Sequence, residues 1–492
     1  MPALAGLSPD TLAKYEPVIG LEVHVQLLTR TKIFCGCENR FGADPNTNVC
    51  PVCLGLPGSL PVLNAKAVEF ATLASMALNC EVRPRSIFAR KNYFYPDLPK
   101  GYQISQYDKP LAEHGWIEVP TSTGTNKKIG ITRVHMEEDA GKSLHDGFSD
   151  SATRTYLDLN RCGTPLIEIV SEPDIRTPDE AFEYLTRLKE ILLYTAVSDC
   201  NMEEGSLRCD ANVSVRPRGQ EKFGTKAEVK NVNSFKFIRA ALEYEIERQI
   251  ELIESGGRVV QETRLYNADE GRTYSMRSKE QAHDYRYFPE PDLPPLVLTP
   301  EYIGETEKNL PELPEPRRAR MIAEYELNAM DARTLTATRE FADRFEAAAR
   351  TAKSPRRVAN VLLSEVGGRL KALGIEPENS PVSMAGIVLA ADLLEEGTIS
   401  SKQMKQIMDI CFEKSEDFPA VYEREKPQQI TDSSALEKMI DEVIAANPKQ
   451  VEQYRAGKKT MAGFFVGQVM RASRGQANPA LLNELVTKKL EG

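Results

Sequence analysis

The sequence predicts an α+β fold, in which a mainly antiparallel sheet domain precedes two all-helical domains. Before residue 295, short segments alternate between apolar and polar residues, as strands do in a sheet with one apolar and one polar face. After the proline-rich run Pro289–Pro295, almost every segment has helical periodicity. A break at Glu416–Gln429 then separates the last helical module. The predicted domains are therefore 1–295, 296–412 and 413–492.

The predicted strands place charged side chains together on one face of the sheet. In Leu21–Leu27 the odd-numbered residues are apolar, so Glu22 and His24 share the opposite face. The same alternation in Leu207–Val215 puts Arg208 on a polar face. Two further predicted strands, Ile131–Asp139 and Leu166–Glu172, carry the acidic residues Glu137, Glu138, Glu168 and Glu172.

The helices are predicted from their capping residues. Thr177-Pro178-Asp179-Glu180 is a capping box with proline at the first helical position, and it opens a helix that runs to about Thr195. Asn233 or Ser234 caps a second helix, which ends before Gly256. Later helices are predicted at Asp331–Thr351, Ser354–Leu373 and Ser383–Glu396.

Composition excludes several classes of protein. Hydrophobic residues make up 41% of the 492 residues and charged residues 27%, which argues against disorder and against a fibrous protein. The net charge of −10 argues against a surface that binds polyanions over its whole extent. No window approaches eighteen uninterrupted apolar residues, and Met1–Pro17 lacks a basic-then-apolar pattern. We therefore expect no membrane span, no secretory signal and a cytoplasmic location.

Two closely spaced cysteine pairs predict a structural zinc site. Cys35 and Cys37 form a C-x-C motif, and a twelve-residue gap separates them from the C-x-x-C motif of Cys50 and Cys53. Four thiolates of this kind suit tetrahedral Zn²⁺ with no open coordination position. The alternatives are four unrelated thiols or two redox pairs. The other five cysteines (Cys80, Cys162, Cys200, Cys209 and Cys411) are expected to be buried.

Glu22 and His24 suggest a second metal site. Lying two residues apart on one strand face, they suit a hard divalent cation shared with other carboxylates. The alternative is a solvated strand face, which the spacing alone favours. A nucleotide-binding loop is not found. Gly141-Lys142-Ser143 resembles the end of a P-loop, but Met136 stands where that motif needs glycine, and the chain has no G-x-G-x-x-G motif.

Two further patterns favour nucleotide or RNA binding. The segment Arg90–Asp97 places two cations beside three aromatic rings, and such a cluster can stack an adenine or a terminal tRNA base. The alternative is a packed aromatic loop. The stretch Arg455–Lys489 contains seven basic residues and the single acid Glu484, which suits a phosphate backbone or, alternatively, an ordinary basic helix face.

Several long motifs resemble the B-subunit family of the glutamyl/aspartyl-tRNA amidotransferases. They occur in the same order over essentially the whole chain, at Val18–Val25, Arg90–Asp97, His135–Lys142, Thr164–Asp174, Met202–Asn212, Asp284–Asp292 and Gly467–Pro479. The resemblance implies a cradle-shaped catalytic domain similar to the glutamine synthetase fold, then a helical domain and a small helical tail. It also places the four cysteines in the zinc-bearing branch of the family, where zinc supports the fold.

The resemblance implies ATP-dependent transamidation of Glu-tRNA(Gln), Asp-tRNA(Asn) or both. With ATP and Mg²⁺, the cradle would phosphorylate the side-chain carboxylate of the mischarged tRNA, and ammonia would then displace the phosphate. This chain has no Gly-Ser-Ser-Gly-rich amidase segment, so the ammonia is expected from a glutaminase partner of the amidase class. The resemblance implies a heterotrimer of this chain, that amidase and a small third protein. No DNA and no membrane partner is expected.

The family motifs imply a role for each candidate site residue. His24, Glu138 and Glu168 would bind Mg²⁺, and Glu22 would be a further ligand or a positioning base. The remaining pocket residues would be Lys91, Tyr93, Ser171 and Arg208. The tail would bind tRNA through Lys458, Lys459, Arg471 and Arg474.

Two alternatives lie outside this interpretation. The archaeal glutamine-specific relative shares the motifs but carries an additional inserted domain, for which this chain has no room. A non-catalytic, zinc-stabilised tRNA-binding scaffold is the alternative from a different class. A scaffold would not need Glu22, His24, Glu138 and Glu168 together at strand positions.

Overall fold

The computed structural model describes residues 7–121, 124–276, 285–425, 433–473, 477 and 479–491. The chain divides into two compact units, Met1–Leu313 and Pro314–Gly492. The predicted boundaries of three domains stay predictions. The two units together combine a large mixed sheet with many helices, which confirms the α+β class. Among the described helices, none has the length and apolar character needed to cross a membrane.

The first unit contains sixteen strands and five helices among its described residues. The strands are β1 Tyr15–Gln26, β2 Glu81–Val82, β3 Arg85–Ser86, β4 Phe88–Asn92, β5 Tyr102–Gln106, β6 Ala112–Pro120, β7 Asn126–Glu138, β8 Lys142–Leu144, β9 Tyr156–Asp158, β10 Pro165–Ser171, β11 Leu207–Pro217, β12 Ala227–Lys230, β13 Thr263–Asn267, β14 Arg272–Ser275, β15 Phe288–Pro289 and β16 Leu296–Val297. The helices are α1 Pro9–Ala13, α2 Ala65–Ala77, α3 Pro178–Tyr194, α4 Phe235–Glu254 and α5 Pro300–Lys308.

Nine of these strands form the main sheet, in the order β14-β13-β12-β11-β1-β10-β7-β6-β2. Every neighbouring pair is antiparallel except β12 and β13, which run parallel. The long strand β1 is central, and its apolar residues Leu21, Val23 and Val25 are at most 1% exposed. They belong to a core that also contains residues of α3 and α4, such as Leu188 and Ile246. The opposite face of β1 is left to polar residues.

The capping residues act as predicted in α3 and α4. The side chain of Thr177 accepts a hydrogen bond from the backbone N–H of Glu180, and Ser234 accepts one from Phe237. Each bond satisfies one of the N–H groups that a helix start leaves unpaired. Both helices thereby begin at fixed points on the apolar side of the main sheet.

A smaller sheet, in the order β15-β4-β5, lies beside the main one within the first unit. Its strand β5 packs against β7, so β4 and the loop after it approach the polar face near the end of β7. Arg90 on β4 holds β15 through a bidentate pair with Glu290, at 2.7 and 2.8 Å. Asn92 also bonds to the carbonyl groups of Tyr285 and Arg286, at 3.2 and 2.9 Å.

The second unit is helical throughout its described residues. Its helices are α6 Pro314–Tyr325, α7 Ala329–Leu335, α8 Arg339–Ala349, α9 Pro355–Asn360, α10 Gly367–Leu373, α11 Met384–Glu395, α12 Ser401–Lys414, α13 Phe418–Glu425, α14 Ser433–Ala446, α15 Pro448–Arg455, α16 Ala462–Ala472 and α17 Pro479–Glu491. A π-helical segment, Val361–Val366, joins α9 to α10. Two separate hydrophobic clusters lie in this unit, one from Met321 to Val421 and one from Leu436 to Leu490.

One helix prediction and one predicted break in the second unit were wrong in detail. The segment Asp331–Thr351 is two helices, because Thr338 leaves the helical conformation and caps α8 by accepting a bond from the Phe341 N–H. The predicted break Glu416–Gln429 contains α13, whose Phe418 and Val421 are fully buried. Apolar burial therefore outweighs the polar composition of that segment.

Candidate active site and metal centres

Strand register brings the polar side chains of three strands into one row. His24 on β1 lies opposite Glu168 on β10 and opposite Arg208 on β11. Glu22 lies opposite Asp210 on β11. Directly opposed residues of an antiparallel pair project from the same face, so these side chains meet on the polar face of the main sheet.

The candidate metal centre is formed by His24, Glu137 and Glu168. One donor atom from each lies within 4.8 Å of the others. The Nε2 atom of His24 is 3.6 Å from Glu137 Oε1 and 3.5 Å from Glu168 Oε2. Glu137 and Glu168 are 2% and 7% exposed, so they are not part of an ordinary solvated acidic surface. Two carboxylates and one imidazole fit a divalent cation that also takes phosphate or water oxygens.

His135 is a fourth member of this group that the sequence prediction did not include. Its Nε2 atom is 3.3 Å from Glu168 Oε2. Burial by itself lowers the pKa of His135, but Glu168 and Glu137 outweigh it and raise the pKa to about 9. The same contacts, against the opposing effect of burial, hold the pKa of Glu168 well below its usual range. Without a metal ion, the two histidines therefore supply the positive charge that these buried carboxylates need.

The structure does not bring Glu138 into this group. Its carboxylate forms an ion pair with Lys100 and accepts a hydrogen bond of 2.9 Å from the Ile104 N–H. Glu137 and Glu138 are neighbours on β7, so their side chains point to opposite faces of the strand. The geometry therefore favours Glu137 over Glu138 as the partner of His24.

Glu22 and Ser171 line a cleft with a volume of about 310 Å³, and Glu22 lies two residues from His24 on β1. Glu22 accepts a hydrogen bond of 2.9 Å from Asn212, and its pKa is raised by burial and by Glu168. The Ser171 hydroxyl accepts a bond of 2.9 Å from the Leu21 N–H and donates to the Glu172 carbonyl at 3.0 Å. Ser171 is thus held by the main chain at the irregularity between β10 and β7.

Arg208 is fixed by an acidic partner, Asp139. Its Nη2 atom donates to Asp139 Oδ2 at 2.9 Å, and Gln26 donates to the same oxygen at 2.9 Å. Arg161 approaches that oxygen to 3.6 Å. Burial raises the pKa of Asp139, but Arg208 and Arg161 outweigh it and the net shift is downward. Asp139 therefore stays ionised and keeps Arg208 beside His24.

Lys91 and Tyr93 reach the site from the smaller sheet. The Lys91 ammonium is 5.0 Å from the ring centroid of Tyr285 and 5.8 Å from that of Tyr93. Burial lowers the pKa of Lys91, but Glu137 and then Tyr287 act in the opposite direction and the pKa is raised. The Tyr93 hydroxyl donates to Gln103 at 3.2 Å. Lys91 is thus a charged ammonium beside the carboxylates, within a cluster of tyrosine rings.

The four cysteines meet as predicted. The Sγ atoms of Cys35, Cys37, Cys50 and Cys53 lie within 4.8 Å of one another, so this cluster can hold a metal ion. The Cys50 N–H donates to Cys53 Sγ at 3.1 Å, and the Cys35 thiol is the main cause that lowers the pKa of Cys53 to about 5. The prediction that the other five cysteines are buried is also confirmed. They are Cys80, Cys162, Cys200, Cys209 and Cys411.

The predicted tRNA-binding residues of the tail are at the surface where the structure describes them. Lys458, Lys459 and Arg471 are exposed. Lys459 pairs with Glu491 at 3.1 Å, which partly neutralises its charge. Arg474 lies outside the described residues.

Comparisons with known proteins identify the family. Residues 17–304 match the GatB/GatE catalytic domain, and residues 343–490 match the GatB domain. The chain is 55% identical over 479 residues to the B subunit of the aspartyl/glutamyl-tRNA(Asn/Gln) amidotransferase of Carboxydothermus hydrogenoformans, covering 97% of this chain and 99% of that protein. The chain belongs to this family.

Two other B subunits show the same extent of similarity. Those of Geobacter sulfurreducens and Halorhodospira halophila are each 55% identical, over 478 and 482 residues, with 97% of this chain and 100% of each relative covered. Family membership confirms the assignment of the chain to the tRNA-dependent amidotransferases. The candidate metal centre, the cysteine cluster and all of the main sheet except the first two residues of β1 lie within the matched catalytic domain.

Proposed function

We propose that this chain activates the side-chain carboxylate of a mischarged aminoacyl-tRNA, so that ammonia can convert it to an amide. The observation that carries the proposal is the buried group of His24, Glu137 and Glu168, next to the Lys91 ammonium, within the GatB/GatE catalytic domain. The substrates would be Glu-tRNA(Gln), Asp-tRNA(Asn) or both, as the names of the relatives suggest. The sheet domain would be a cradle similar to the glutamine synthetase fold.

The chemistry explains why such a site needs both anionic and cationic groups. A free carboxylate is a poor electrophile, because attack by ammonia would have to expel an oxide ion. Transfer of the γ-phosphoryl group of ATP to one carboxylate oxygen makes that oxygen part of a good leaving group, phosphate. Ammonia then forms the C–N bond as the C–O bond to phosphate breaks. Positioning and neutralisation of charge supply most of the rate in such phosphoryl transfers.

The side chains divide these tasks among themselves. His24, Glu137 and Glu168 would hold Mg²⁺, which neutralises phosphate charge when bound. Lys91 and Arg208 would bring positive charge to this group, where phosphate and acyl oxygens need it. Glu22 lies farther along β1 and would orient the incoming groups in the cleft.

The cysteine cluster would bind structural Zn²⁺. Four sulfur donors leave no position for substrate, so the ion would stabilise the loops between β1 and α2 and take no part in the chemistry. In the assembled enzyme, a glutaminase partner of the amidase class would supply ammonia, and a small third protein would complete the heterotrimer. Lys458, Lys459, Arg471 and Arg474 of the tail would contact the tRNA.

Phosphate release from γ-labelled ATP tests the proposal. The chain, purified with its partner proteins and Mg²⁺, is expected to release phosphate only when mischarged tRNA is present. Glu137→Gln should abolish this release, because it removes a charged ligand from the metal centre. The adjacent Glu138→Gln is the matched control, and it should retain activity if it retains the fold.

The two variants and the wild type separate the alternatives. One outcome would assign the metal ligand to Glu138 instead of Glu137. In that outcome, Glu138→Gln releases no phosphate although its melting temperature is native, and Glu137→Gln still releases phosphate. Tight tRNA binding by the wild-type complex without phosphate release would overturn the catalytic role and favour a tRNA-binding scaffold.

A further inference from the structure

A lysine is buried next to the cysteine cluster. The side chain of Lys32 is only 1% exposed. Its Nζ atom donates to the Asn48 carbonyl at 2.7 Å and lies 3.8 Å from Cys53 Sγ. Within the described part of the chain, no carboxylate forms an ion pair with it. A buried ammonium without an anionic partner is strongly unfavourable.

The charge of the cysteine cluster decides whether Lys32 has such a partner. Four protonated thiols, or two disulfides, carry no net charge and would leave the ammonium uncompensated. Four thiolates around Zn²⁺ carry a net charge of about −2, with much of it on sulfur. The metal-bound tetrathiolate is more negative than either of these neutral states, and also more negative than a metal-free cluster in which Cys53 alone is a thiolate, so it compensates a buried cation at this position best.

We propose that Lys32 is the built-in counter-ion of an anionic metal–tetrathiolate site and increases its affinity for the metal. This inference rests on the structural zinc site proposed above and is independent of transamidation. The hydrogen bond from the Lys32 ammonium to the Asn48 carbonyl holds the ammonium beside Cys53. The backbone N–H of Lys32 also donates to the Cys37 carbonyl at 3.0 Å, which joins the lysine to both cysteine motifs.

Competition with a chromogenic zinc chelator tests the proposal on the purified full-length chain. Lys32→Met keeps most of the volume of the side chain and removes its charge. It is expected to weaken zinc binding roughly 10- to 100-fold, the loss found when outer partners of metal ligands are removed. Lys66→Met makes the same change on the exposed start of α2 and should bind zinc as the wild type does.

Melting temperatures with and without zinc provide a second measurement that separates a lost counter-ion from a damaged core. Lys32→Met should melt below the wild type when zinc is bound. After chelation the difference from the wild type should be smaller, because the metal-free cysteines carry less negative charge beside Lys32. Wild-type zinc affinity in Lys32→Met, or an equal decrease in melting temperature with and without zinc, would overturn the proposal. A wild-type chain that binds no zinc would overturn the metal site itself.

Discussion

At the scale of single residues, the polar face of the main sheet is stabilised by charged partners on neighbouring segments. Arg208 donates to Asp139, while Glu168 contacts both His24 and His135. Buried or half-buried charges are tolerated only when such partners are in place, because removing one leaves the other without compensation. The side chains that carry the proposed chemistry thus depend on charged neighbours such as Asp139 and His135.

Asp139→Asn is expected to show this dependence. The substitution removes the negative charge that orients Arg208 but keeps an oxygen that can accept from Gln26. Activity should fall roughly 10- to 100-fold through the displaced guanidinium. The free energy of unfolding should fall by only about 1.5–3 kcal/mol, the usual value of a hydrogen bond to a charged group. Steady-state kinetics and urea denaturation measure the two effects, and unchanged kinetics would contradict a positioning role for Asp139.

Ser171→Ala distinguishes a structural role from a chemical one. The substitution leaves the buried Leu21 N–H without its acceptor, which should cost about 1–3 kcal/mol of unfolding free energy. Activity at a temperature where the variant is fully folded should stay near that of the wild type. A large loss of kcat with unchanged stability would instead assign Ser171 to the substrate, as the family motifs imply.

At the scale of strands and helices, alternation in sequence predicted which face the residues of Leu21–Leu27 on β1 and Leu207–Val215 on β11 occupy. On β7 the same rule groups Glu137 with His135 and places Glu138 with Met136, so the signal that favours Glu137 was present in the sequence. The burial of His135 was not predictable, since it depends on the pairing of β7 with β10. The capping residues predicted the starts of α3 and α4 well, because a cap depends only on residues close to it in sequence.

Glu346 on α8 gives the second unit a predictable response to acid. Its carboxylate is 4% exposed and pairs with Arg317 and Arg320 of α6. Burial raises its pKa, but the two arginines outweigh it, so the net shift is downward from 4.5. The stability that this pair supplies is therefore fully present above about pH 4.5 and is lost as the pH falls towards the lower folded-state value.

Melting temperatures between neutral pH and pH 4 test this effect. Below pH 4.5 the wild type should lose stability more steeply than Glu346→Gln, which cannot titrate at this position. Glu340→Gln, a change of an exposed carboxylate on the same helix, is the control and should follow the wild type. Parallel curves for Glu346→Gln and the wild type would contradict the assignment.

At the scale of the whole chain, residues far apart in sequence complete the candidate site. Arg90 and Glu290 are 200 residues apart, yet their pair fixes the segment whose Tyr285 and Tyr287 lie beside Lys91. Composition and periodicity do not reveal such a pairing, although both segments carry family motifs. The α+β class could be predicted without knowing any long-range contact, because it follows from local periodicity summed over many residues.

Charge is also distributed unevenly along the chain, and this leads to a prediction about the tail. The net charge is −10, whereas Arg455–Lys489 is strongly basic. The double variant Lys458→Glu and Arg471→Glu reverses two exposed positive charges of the tail. It is expected to weaken tRNA binding and leave the melting temperature unchanged. If each contacts a phosphate, the slope of log K against log salt concentration should decrease by about 2.

The control for this experiment is Lys402→Glu, which reverses an exposed lysine on α12. Filter binding of tRNA to the assembled enzyme across a range of salt concentrations gives both affinity and slope. A site on the tail predicts that the double variant loses affinity for correctly charged and mischarged tRNA alike, because phosphate contacts carry no information about the amino acid. If the salt slope of the double variant equals that of Lys402→Glu and the wild type, the basic stretch is an ordinary helix face, and the tRNA must be held elsewhere.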